Sequence, residues 1–134
     1  MPKSVKDTIN LSNEKLLESY QVLSNLSQKA LPIKVSFAIA KNFKNIQNEL
    51  SVYDEERKKL INKYAEKDEN GKVKSDVNNQ IIFKDKISWD KDIAELLAIT
   101  NDVKIMRINI ADLDSKNICI TPAELMAMEY MIEE

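Results

Sequence analysis

Apolar positions in the first half of the chain recur at helical spacing. Leu16, Tyr20, Leu23 and Ala30 fall on one side of a helix, with Ser12 placed as N-cap and Glu14 in the first turn, where the helix dipole favours a carboxylate. Leu11 and Leu16 stand at the two positions of a hydrophobic staple. The helix is expected to stop near Leu31, because Pro32 disfavours helical geometry in the residue before it. Pro32 is equally suited to open the next helix. There Ile39, Phe43, Ile46, Leu50, Tyr53, Arg57, Leu60 and Tyr64 are spaced 4, 3, 4, 3, 4, 3, 4, which is a heptad seam. A helix over 33–66 would be roughly 50 Å long, more than a compact domain of this size covers fully. Either a second chain packs on it, or the rest of the protein is laid along it.

The pattern changes in the second half. Positions 80–84 (QIIFK) read as a short strand, and 103–110 (VKIMRINI) as a longer one whose alternation slips by one residue at Met106, suggesting a bulge or an irregular end. Between them Ser88 is placed to cap a helix carrying Trp89, Ile93, Leu96 and Leu97 on one face. Thr121, Pro122 and Glu124 make a capping box with proline at the first helical position, and Ile120 and Leu125 complete a staple. The stretch 67–79 is polar and holds the chain's only glycine, Gly71; it is the one candidate hinge, and no internal repeat is evident. The expected fold is α+β and mostly helical. A long antiparallel helical hairpin (12–66) leads through a polar turn (67–79) into a mixed part (80–134) with a small two-stranded β element and two short helices, all in one domain, 1–134.

Composition narrows the chemistry. The chain has 134 residues, no histidine, one glycine and one cysteine. Ser-His-Asp and Cys-His nucleophiles, histidine metal sites and glycine-rich phosphate loops are therefore excluded. Cys119, between Ile118 and Ile120, is expected to be a buried, inert thiol in a reducing compartment. No run approaches the roughly 18 apolar residues of a membrane span, and the N-terminus lacks the apolar core of a signal peptide, so a cytosolic protein without a membrane partner is expected. A formal charge of -2 does not favour nucleic acid. Charge is uneven: residues 1–50 carry seven lysines against four acids, and 111–134 carry six acids against Lys116. That asymmetry can steer an acidic partner to one end.

Carboxylates are the only remaining candidates for a chemical site. Asp54, Glu55 and Glu56 read as the surface of an exposed helix, with Glu55 four residues ahead of Lys59. In the stretch 63–74 (KYAEKDENGKVK), Gly71 at the sixth position of a calcium loop puts Glu66 first, Asp68 third and Asn70 fifth, but Val77 falls at the twelfth, where a bidentate glutamate is required. A turn at Asn70 and Gly71 is the reading that survives. Asp112 and Asp114 read as turn residues. Met126, Met128 and Met131 fit either core filling or an adaptable surface. Arg57 interrupts the seam, and either pairs across an interface or carries its head to solvent over an apolar stem. No catalytic residue, cofactor or metal ligand is assigned.

The order of these segments resembles a known group. A leucine-rich helix, a long helix running through EERKKLINKYAEKDENGK, then FKDKISWDKDIAELL, a strand such as VKIMRI and a closing ITPAELMAMEYMIE are similar to small proteins of unassigned function encoded by phages and prophages of Gram-positive bacteria. The most specific part is 55–72. The resemblance implies a bacterial host cell and a non-enzymatic role in virion assembly or host-factor modulation. The expected partner is a protein, whether a second copy, a virion subunit or a host factor, bound through the seam from Ile39 to Tyr64. The alternative class is a small-ligand or cation-binding protein, for example a phage-encoded ligand-sequestering one, using Asp68 and Asn70 or the 112–114 loop.

Overall fold

A computed structural model describes residues 6–113 and 119–133. The protein is α+β and mostly helical, with five α-helices among the described residues, one of them a single long helix. It divides into two compact units, one drawn from Met1–Leu50 and Thr100–Glu134 and the other from Ser51–Ile99.

The first unit begins with strand β1 (Lys6–Ser12) and helix α1 (Asn13–Leu26). Ser12 Oγ accepts the Lys15 N–H at 3.1 Å, as the cap signal predicts, and Leu11 and Leu16 are both buried. Helix α1 stops short of Leu31. Ser27 keeps helical angles and sends its N–H to the Leu23 carbonyl at 2.9 Å, after which tighter bonds from Gln28 to Asn25 and from Lys29 to Leu26 close the last turn. Helix α2 (Ile33–Tyr64) starts where Pro32, just outside it, lends its carbonyl to the Ser36 N–H at 2.9 Å. The ring of Tyr20 lies 5.0 Å from that of Phe43, an order of contact that fits two helices doubling back on each other.

β1 is the strand that sequence reading missed. It pairs antiparallel with β2 (Thr100–Met106), Ile9 opposite Val103 and Asp7 opposite Ile105, so the partner of the VKIMRINI segment is the N-terminal segment and not 80–84. Val103 and Ile105 are buried on one face while Asp102 and Lys104 are exposed on the other, the alternation of a sheet covered on one side. The slip at Met106 is real: β2 ends there, and β3 (Ile108–Asn109) resumes beyond Arg107 to pair in parallel with β4 (Ile132–Glu133). Helix α4 (Ile110–Leu113) is one short turn. Helix α5 (Pro122–Ala127) carries the predicted capping box, with the Glu124 N–H on Thr121 Oγ1 at 3.1 Å and the Thr121 N–H on Glu124 Oε1 at 2.9 Å. A 3₁₀ turn, Glu129–Met131, then brings the Tyr130 hydroxyl to Ser19 Oγ at 2.7 Å.

In the second unit, the remainder of α2 is followed by a compact excursion and by helix α3 (Lys86–Ala98). The polar stretch is no hinge. Single-residue bridges join Lys67 to Val73, Ser75 to Ile81 and Ala65 to Phe83, so three short segments each pair with the other two. The backbone bonds close a ring: Lys74 N–H to Glu66 C=O at 2.9 Å, Ile82 N–H to Lys74 C=O at 3.0 Å, and Glu66 N–H to Ile82 C=O at 2.8 Å. This explains why 80–84 forms no strand with 103–110: its backbone groups are committed inside the ring.

The ring also reveals an eight-residue repeat that the sequence reading did not find. Asp68, Asn70 and Gly71 recur as Asp76, Asn78 and Asn79. Asp68 Oδ1 accepts the N–H groups of Asn70 (2.8 Å) and Lys72 (3.0 Å), and Asp76 Oδ1 accepts those of Asn78 (2.8 Å) and Gln80 (3.0 Å). Gly71 and Asn79 hold the same left-handed position, with φ of 79° and 62°. Only the aspartate and the first asparagine recur unchanged at this spacing, which is why the repeat is hidden in the letters. Asp85, not Ser88, caps α3: its Oδ1 accepts the Ser88 N–H at 3.1 Å, placing Ser88 three residues inside. The rings of Phe83 and Trp89 stack at 4.4 Å across the join.

Candidate interaction surfaces

The heptad seam faces inward. Ile39, Ile46, Leu50 and Tyr53 are buried within this single chain, and Phe43, Arg57, Leu60 and Tyr64 are half-buried. Of the two ways to satisfy a long seam, covering by the chain's own remaining segments is the one seen. A periodic apolar line reports burial without saying which chain does the burying. Arg57 lies near Tyr53, whose hydroxyl pKa is raised by burial and partly lowered again by the guanidinium. The Tyr64 hydroxyl donates to Asp92 Oδ2 at 2.6 Å, and that bond raises its pKa.

Asn42, one turn along from Ile39 and fully buried, does what the seam pattern gave no hint of. Its Oδ1 accepts the Met106 N–H at 2.7 Å and its Nδ2 donates to the Met106 carbonyl at 3.0 Å. One turn further, Asn45 Nδ2 donates to the Lys104 carbonyl at 2.9 Å. The two amides thus take the place of a third strand along the outer edge of β2. An asparagine at a core position of a helix was the available signal, since a buried amide requires partners.

Apolar side chains also stand on the opposite face of α2. Ile33 is 85% exposed and Phe37 54%, while Val35, Ala38 and Ile39 on the inner face are buried. Lys41 Nζ sits 5.7 Å from the centre of the Phe37 ring. An open cleft of about 410 Å³ lies beside this face, lined by Lys34, Phe37, Arg107, Asn109, Asp112 and Glu133. Arg107 spans part of it and donates to the Tyr130 carbonyl at 3.0 Å.

Of the residues considered for cations, Asp68 serves the backbone. One oxygen of Asp68 is occupied by two turn N–H groups, and an open cleft of about 580 Å³ around Lys67, Glu69 and Lys74 mixes both charges. Asp112 lies in α4, and Asp114 falls outside the described residues. Among the described residues no group of three or more potential metal-ligating side chains gathers. Cys119 is exposed, not buried: it precedes α5 in irregular chain, where Lys29 donates to its carbonyl, and no strand carries it inward. Glu124 is held below the usual carboxylate range by the Thr121 N–H, with Lys29 adding to the effect at 3.3 Å. The Asp85 carboxyl is lowered by the Ser88 N–H. Met128 and Met131 are buried, and Met126 points out at 70% exposure. On the surface of α2, Lys59 pairs with Glu56 at 3.3 Å instead of Glu55, and Lys58 with Asp54 at 3.1 Å.

No family model, curated protein or solved structure matches the chain.

Proposed function

We propose that this chain is a non-enzymatic phage protein that acts in the host cytoplasm by binding another protein, a virion subunit or a host factor, through the outward face at the start of α2. The observation that carries this reading is the two-faced apolar character of that segment: inner side chains are buried while Ile33 and Phe37 stand in solvent. A helix apolar on both faces is ordinarily covered on both, and exposed apolar patches rimmed by charge mark interaction sites. Lys34 and Lys41 at the rim favour a partner whose apolar pocket is edged by carboxylates. The resemblance to phage proteins supplies the setting.

A photo-crosslinking residue in place of Phe37, introduced during infection, is expected to capture one protein. Comparing that adduct with the proteins of purified virions separates an assembly role from a host-directed one. Phe37→Glu is expected to weaken capture more than tenfold with the fold intact. Efficient capture from Val77 but none from Phe37 would overturn the assignment of this face. Sequestration of a small ligand is a second reading, favoured by the 410 Å³ cleft with its aromatic wall and flanking Lys34 and Arg107. Calorimetry with nucleotides, magnesium and calcium tests it, and silence in every titration removes it for those ligands.

A further inference from the structure

We infer that the free edge of β1 is a self-association site, where a second copy of this chain adds its own β1 antiparallel to build a four-stranded sheet. The two edges of the β1–β2 sheet are treated differently. On β2 the groups that point away from β1 include the Lys104 carbonyl and the Met106 N–H and carbonyl, and α2 covers these three with Asn45 and Asn42. Because pairing alternates along an antiparallel ladder, Val103 and Ile105 face β1, and on β1 the outward groups belong to Thr8 and Asn10. Among the described residues nothing hydrogen-bonds to these backbone groups, and both residues are exposed. An open strand edge is a template for another strand.

The occupant follows from the register. A copy related by a two-fold axis at Ile9 sets Thr8 against Asn10 and Asn10 against Thr8, so each outward N–H meets an outward C=O. Lys6 then falls opposite Ser12 and Asp7 opposite Leu11. Ile9 meets Ile9 of the second copy in the closely spaced, non-hydrogen-bonded position. That contact answers an imbalance in the single chain: Val103 and Ile105 on the same face are buried, whereas Ile9 at the edge is half-exposed. The interface is isologous, so it closes at two copies and leaves the β2 edges, partly covered by Asn42 and Asn45, outermost. It uses none of the α2 surface assigned above to another protein, and the two ideas fail separately.

Sedimentation analysis of the full chain at increasing concentration is expected to show a dimer. Thr8→Pro removes only an outward N–H, a place where an edge strand tolerates proline, and is expected to weaken the dimer more than tenfold while leaving the circular dichroism of the fold in place. In a Cys119→Ser background, Ile9→Cys is expected to give a disulfide-linked dimer on mild oxidation, and Thr8→Cys to give much less. This pair decides the matter should Thr8→Pro unfold the chain. A monomer at several hundred micromolar, or a dimer that a folded Thr8→Pro leaves unchanged together with equal crosslinking at 8 and 9, would overturn the inference.

Discussion

The two units use polar side chains in opposite ways. In the first, asparagines reach across the sequence: Asn42 to Met106 over 64 positions, Asn45 to Lys104 over 59 and Asn101 to Asn13 over 88. In the second, aspartates serve their own neighbourhood: Asp68, Asp76 and Asp85 each bind N–H groups no more than four residues on. The cores differ to match. The largest fully buried side chains, among them Leu16, Leu23, Ile46 and Ile105, all lie in the first unit, while only Tyr53, Ala65 and Leu96 are buried apolar residues of the second. The first unit therefore depends on contacts that exist only once distant segments have met, and the second on bonds that a short peptide can begin to make.

The sharpest way to break this contrast is at Asn42. Asn42→Leu keeps the branched shape but strands the part-buried N–H and carbonyl of Met106, and should destabilise by about 3 kcal/mol, at about 1–3 kcal/mol per unsatisfied group. Urea unfolding measures it. A loss under about 1 kcal/mol would mean that the amide is replaceable and that the long-range bonds do not distinguish the units.

Alkaline pH probes the same unit through Tyr130, whose hydroxyl is pushed up to about 12 by burial. The sign follows from which state holds the proton. The unfolded chain ionises near 10 while the folded one stays neutral, so the contribution is complete below pH 10 and is lost as pH rises to about 12. Two pKa units correspond to about 2–3 kcal/mol. Tyr130→Phe should flatten that part of the stability profile, and a profile matching the wild type between pH 10 and 12 would assign the alkaline loss elsewhere.

The smallest effects belong to the second unit. Asp76→Ala should cost about 1 kcal/mol, a pair of exposed turn bonds, and Asp68→Ala a similar amount, because the two turns are copies. Asn79→Gly should stabilise by a few tenths of a kcal/mol, since glycine meets the left-handed angle without strain. Thermal melts of the three variants check this, and a large loss on Asn79→Gly would show that its side chain does more than tolerate the angle.

What could be read in the sequence divides along similar lines. The cap at Ser12, the box at Thr121 and the extent of α2 all depend on residues within a few positions of one another, and each stands in the structure as expected. The β1–β2 ladder was invisible because it joins segments 92 residues apart at Asn10 and Asp102, and because KDTINLS is too polar to announce a strand. The ring over 65–83 was missed for another reason: backbone groups make it, and its side chains need only permit two left-handed turns. The seam itself was found, but not its owner. Spacing fixes which face is buried, and only the register of distant strands against Asn42 and Asn45 shows that this chain does the covering.

The ring has a consequence for how such a chain changes over time. The Lys84 N–H donates to the Tyr64 carbonyl at 2.9 Å, so the excursion returns to the point at which it left α2. A segment whose ends meet can be gained, lost or exchanged in a gene with little disturbance to what lies on either side. Residues 65–83 thus leave and rejoin the helical path at one place, with the Phe83–Trp89 stack and the buried Ala65 as ties to the rest of the unit.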